Sequence, residues 1–102
     1  MEEAGTSTYL TQSTTSSWTA YTVPDITQYK YLLFALRNAS NALINSCLVP
    51  TSLFKSTFNN QNNYYITVSH NGINGSAMYY GDTSIGLLCD NASYKMSVHG
   101  VK

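Results

Sequence analysis

Charge is scarce in this chain. Asp, Glu, Lys and Arg make up 10% of its 102 residues, against a usual quarter. The basic residues Lys30, Arg37, Lys55, Lys95 and Lys102 are scattered, and the formal net charge is zero. Binding to nucleic acid or to an anionic membrane surface calls for a basic patch, so neither partner is expected. The chain also lacks an apolar run long enough to cross a bilayer, and no membrane insertion is expected. Its start, Met1-Glu2-Glu3-Ala4-Gly5, has no apolar stretch and does not read as a secretion signal. Cysteine is limited to Cys47 and Cys89; in a chain read as unsignalled, buried free thiols are expected over a disulfide. Asn38-Ala39-Ser40, Asn74-Gly75-Ser76 and Asn91-Ala92-Ser93 fit the glycosylation pattern, which matters only on a eukaryotic secretory route.

Strong helix formers are few as well, whereas Ser, Thr and Asn together supply about a third of the chain. Tyrosine occurs nine times and aromatics reach 13%. Uncharged, Tyr- and Thr-rich sequences suit half-buried pleated surfaces rather than long surface helices or disorder. The length fits one domain with one modest core.

Short apolar runs between turn residues predict an all-β fold. Strands are expected at about 7–12 and 17–23, after a flexible segment or shaft remnant at 1–6. Tyr31-Leu32-Leu33-Phe34-Ala35-Leu36 is continuous and apolar, a pattern that periodicity cannot assign alone. Two strands, 30–37 and 42–49, are preferred to a helix over 28–46, because Arg37-Asn38-Ala39-Ser40-Asn41 is a cluster of turn formers. Leu53-Phe54-Lys55 reads as a short strand or edge, and 58–63 as a loop. From Tyr64 to Ser69 the residues alternate, with Tyr64, Ile66 and Val68 on one face and Tyr65, Thr67 and Ser69 on the other. His70-Asn71-Gly72-Ile73-Asn74-Gly75 holds two Asn-Gly pairs, which favour hairpin turns. Return strands follow at 76–80 and 84–89, and a last strand alternates from Tyr94 and ends at Gly100. Seven or eight strands at this spacing indicate a single antiparallel β-sandwich, jelly-roll-like, over 7–102.

The residues offer little to catalysis. His70 and His99 are the only side chains that titrate near neutral pH without perturbation, and no Gly-x-Ser-x-Gly elbow is present. With so much Ser and Thr, a hydroxyl close to a histidine is expected by chance. The carboxylates needed by a glycosidase would come from Glu2, Glu3, Asp25, Asp82 and Asp90, which lie in the terminus or in turns. No Cys, His or carboxylate pair has ligand spacing, and no glycine loop cradles a phosphate. No enzyme activity, metal or cofactor is expected.

Binding is better supported. Trp18 lies among Ser and Thr, and Tyr79-Tyr80 point to opposite faces of a strand beside the Asn-Gly loop. Aromatic rings flanked by amides, carboxylates and hydroxyls suit a sugar, with the ring on its apolar face. By side-chain chemistry and loop position the candidate contacts are Trp18, His70, Asn71, Asn74, Tyr79, Tyr80 and Asp82. The competing reading makes Trp18 and most tyrosines core or subunit-contact residues.

Three stretches resemble the C-terminal heads of bacteriophage and prophage tail-fibre, receptor-binding proteins. They are Thr22-Val23-Pro24-Asp25-Ile26-Thr27-Gln28-Tyr29-Lys30-Tyr31-Leu32-Leu33-Phe34, Val49-Pro50-Thr51-Ser52-Leu53-Phe54-Lys55 and Ser97-Val98-His99-Gly100-Val101-Lys102. In the last, His99 stands where the pattern usually has Tyr. The resemblance covers about residues 17–102. It implies a β-sandwich or jelly-roll head on a virion tail, made in the bacterial cytoplasm and released by lysis. It further implies a homotrimer that adheres to a host cell-surface saccharide or teichoic acid. No catalytic residue and no fixed sugar-contacting motif come with it. Two alternatives remain: a structural trimerisation or capping domain without receptor contact, and a monomeric carbohydrate-binding module.

Overall fold

The computed structural model describes residues 7–57 and 65–102. The expectations for 1–6, for the loop at 58–63 and for Tyr64 lie outside the described residues. Eight strands form in chain order: β1 (Ser7–Gln12), β2 (Thr19–Thr22), β3 (Tyr31–Arg37), β4 (Leu43–Pro50), β5 (Ile66–His70), β6 (Ile73–Gly81), β7 (Ser84–Cys89) and β8 (Lys95–Val101). They make two antiparallel four-stranded sheets, a first of order β1-β8-β3-β4 and a second of order β2-β7-β6-β5. The fold is an all-β sandwich. As in a jelly roll, β1 pairs with β8 in one sheet and β2 with β7 in the other. The remaining strands depart from strict jelly-roll order: β3 and β4 form a hairpin in one sheet, and β5, β6 and β7 a meander in the other.

The core lies between the sheets and follows the period-two rule. Leu32, Phe34 and Leu36 of β3, with Met96 and Val98 of β8, face Ala77 of β6 and Ile85, Leu87 and Cys89 of β7. The run Tyr31–Arg37 is thus a central strand, not part of a helix. The turn cluster after it makes the hairpin. Asn38 accepts hydrogen bonds from the Ser40 and Ala42 amides at 3.0 Å each, and Asn41 takes a φ of 64° that Asn tolerates. Both cysteines are free, Cys89 buried and Cys47 half-buried.

Two expectations are corrected. Leu53-Phe54-Lys55 is not a strand: Pro50 ends β4 and caps a single helical turn, α1 (Thr51–Phe54). The turn drives Phe54 into the core, 5.2 Å from the Phe34 ring, and leaves Leu53 outside. Second, β6 begins at Ile73 rather than at 76. His70 pairs with Ile73, so the hairpin closes on Asn71-Gly72 alone, with φ of 49° and 81°, the signature of a type I′ turn. The second Asn-Gly pair is inside the strand. Gly75 is needed there for packing, because a Cβ would come within 2.8 Å of the Met96 Sδ.

Candidate functional site

The outward face of the second sheet should be solvated, since its inward face makes the core. Met78 and Ser76 point outward on β6, yet each is only 4% exposed. Two aromatic side chains line the same surface. Trp18 immediately precedes β2, and Tyr65 immediately precedes β5. These are the opposite edges of the sheet, about 14 Å apart at the backbone for three strand spacings. Both side chains lean inward over the sheet and meet edge to face, centroids 6.1 Å apart and planes at 78°. Such a contact contributes about 0.5–1.5 kcal/mol beyond the area it buries.

Beneath and beside the rings runs an open groove of about 400 Å³, within the ~300–1,000 Å³ range of small-ligand sites. Met78, Ser76 and Leu88 form its floor and Thr67 one flank. Thr67, Ser76 and Leu88 are one cross-strand row over β5, β6 and β7. Trp18 and Tyr65 remain 38% and 50% exposed, so each keeps ring surface for a ligand.

The polar end is built on Asn74. Its backbone N–H donates to Asp90 Oδ1 at 2.9 Å, and its Nδ2 donates to Asp90 Oδ2 at 3.1 Å. Its Oδ1 accepts the Ser69 hydroxyl, and its carbonyl accepts the Asp90 N–H at 3.1 Å. Both oxygens of Asp90 are thereby held in place while the residue stays exposed beside the groove. Asn74 acts through Asp90 as a positioning residue. The same side chain carries one of the glycosylation patterns, and the other two asparagines also shape turns: Asn38 as described, and Asn91 by accepting from the Ser93 amide at 2.9 Å.

The sequence-derived candidates separate into three places. Trp18 and Asn74 reach the groove. His70 and Asn71 sit at the β5–β6 turn, exposed, with Asn71 Nδ2 and His70 Nε2 3.2 Å apart. Tyr79, Tyr80 and Asp82 gather toward the far end of β6, roughly 20 Å from Asn74 along the strand. Tyr79 faces inward, edge-on to Phe54 at 6.1 Å. Its hydroxyl donates to Asp82, which pushes the phenol pKa up to about 12 through the hydrogen bond, burial and the negative charge. Asp82 also meets Lys55 Nζ at 3.5 Å. Tyr80 faces outward but lies over Gly86. These residues do not converge on one site. Sequence reasoning missed Tyr65, Thr67, Ser76, Met78, Leu88 and Asp90. Alternation puts Tyr65 and Thr67 on one face, opposite Ile66 and Val68, and that is the available signal.

Two other features carry chemistry. A shallower recess of about 330 Å³ is lined by Thr27, Tyr29, Lys30, Thr51, Ser52 and Lys55. On the outward face of the first sheet, Ser97 Oγ lies 3.0 Å from His99 Nε2. Ser97 is only 1% exposed, and its hydroxyl is shared with Arg37 Nε and the Ala35 carbonyl at 3.4 Å each. Burial lowers the His99 pKa, and Arg37 lowers it further. The Ser97 hydroxyl is shut away from solvent. Among the described residues no three His, Cys, Asp or Glu side chains gather as a metal site. The chain matches no protein-family model, no curated protein and no solved structure.

Proposed function

We propose that this domain is the receptor-binding head of a phage or prophage tail fibre, which adheres as a homotrimer to a host cell-surface glycan through the groove under Trp18 and Tyr65. The observation that carries the reading is the pair of rings from opposite sheet edges, meeting over a groove lined by both apolar and polar side chains. Ring surface suits the apolar face of a pyranose. Thr67, Ser76 and the fixed Asp90 carboxylate offer hydrogen bonds to its hydroxyls. No covalent step is involved.

The opposite face of the sandwich supports the trimer. The outward side of the first sheet carries Tyr9 and Leu48, 57% and 54% exposed, with the half-buried Leu33 between their strands. Turned toward a common axis, this face would be covered by sister chains and would leave the three grooves outward. Repetition of a weak sugar site raises avidity by about 10²–10⁴ without a new contact. The same exposed Tyr9 and Leu48 favour one other reading, a trimerising or capping domain with no receptor contact of its own.

Labelled protein applied to a panel of bacterial cells separates the two. Cell binding that falls at least tenfold in Trp18→Ala, with unchanged circular dichroism, supports adhesion through the groove. Binding to no cell type, by a properly trimeric protein, supports the capping role.

A further inference from the structure

Charge in and around the groove says which glycan it takes. Among the described lining residues Asp90 is the one charged side chain, and none of them is a lysine or arginine. Both Asp90 oxygens are oriented by Asn74, at 2.9 and 3.1 Å, so the carboxylate is fixed without being neutralised. Trp18 and Tyr65, at 78° to one another, form a corner that presents a ring face on each side. Aromatic faces attract cations through the ring quadrupole, and a carboxylate nearby adds to that attraction. A phosphate would meet the Asp90 charge and two electron-rich rings, with no cationic side chain among the described lining residues to offset them.

We propose that the groove selects a saccharide bearing a protonated amine and disfavours phosphate-bearing polymers of the teichoic acid kind. The inference rests on the reading of the groove as a glycan site. An ammonium group sits in the aromatic corner within reach of Asp90, and the sugar ring lies along Met78 and Leu88.

Trp18 is the one tryptophan of the chain, so its fluorescence reports on the groove. The probes are glucosamine oligomers, the same oligomers N-acetylated, and poly(glycerol phosphate), each titrated at low and at high salt. The amine form is expected to bind about tenfold tighter than the acetylated form at low salt. The gap should narrow at high salt, where screening weakens exposed charge interactions. Asp90→Asn, checked for an unchanged melting curve, should bring the two affinities together. Equal or tighter binding of the acetylated form overturns the charge selection but keeps the glycan site. Tighter binding of poly(glycerol phosphate) than of the amine form overturns the charge selection as well. If none of the sugars perturbs Trp18, the glycan reading falls and takes this inference with it.

Discussion

The hydroxyl end of the Tyr80 ring lies over Gly86 on the outward face of the second sheet. A Cβ on Gly86 would come 2.6 Å from the ring Cζ and 2.9 Å from its hydroxyl oxygen. Tyr80 is half-buried and can swing into solvent. Gly86→Ala is therefore expected to cost only about 1 kcal/mol. Gly100 is the contrasting case. There a Cβ would meet Tyr29 at Cγ, Cδ1 and Cδ2, each at 2.5 Å, and Tyr29 is buried. The stem of a packed ring cannot step aside, so Gly100→Ala should cost about 3 kcal/mol. Urea unfolding of the two variants checks the order; equal costs would contradict the packing described.

Tyr79 supplies a prediction in alkali. Its phenol is raised to about 12 by the hydrogen bond to Asp82, whereas in the unfolded chain it ionises near 10.0. Between these values the folded state binds the proton more firmly, so stability falls as pH rises through that window. Below it the contribution is fully present. Absorbance titration of the phenolates should show a late-ionising tyrosine that Asp82→Ala moves back toward 10. An unchanged late component in that variant would remove Asp82 as the cause.

The thiols should differ. Burial raises the Cys89 pKa, which lowers both its thiolate fraction and its access to reagent. Cys47 lies half-buried on the edge strand β4. Ellman's reagent is expected to modify Cys47 in the native protein and Cys89 only after denaturant is added. Rapid reaction of both would mean that the second sheet opens readily.

What was legible in the sequence followed from local rules. Alternation located β5 and β8, and the turn formers from Arg37 to Asn41 favoured strands over a helix for the apolar run of β3. Strand partners were harder to read. Nothing local says that β2 and β5 become opposite edges of one sheet, so the meeting of Trp18 with Tyr65 was invisible, and Asp90 looked like an ordinary turn residue. The two Asn-Gly pairs are alike as dipeptides. Only the tertiary contact with Met96 makes Gly75 a packing glycine while Gly72 remains a turn glycine. The expected strand 42–49 stops beside Pro50, but the helical turn after it depends on Phe54 finding the gap beside Phe34 and Tyr79.

Assembly is tested by light scattering after size exclusion, over a range of dilutions. A stable mass of three chains is expected. Leu48→Lys, on the outward face of the first sheet, should lower that mass while leaving the strand signal in circular dichroism unchanged. A monomer at every dilution would move weight to the free-standing carbohydrate-binding module.

The most direct test of the central claim is chemical-shift mapping of the ¹⁵N-labelled protein with purified wall polysaccharide from cells that it binds. The account predicts shifts of the Trp18 indole N–H and of the Thr67, Ser76 and Asp90 amides, with Leu33, Leu48 and His99 unmoved. Shifts confined to the first sheet, or to the recess beside Lys30 and Lys55, would contradict it.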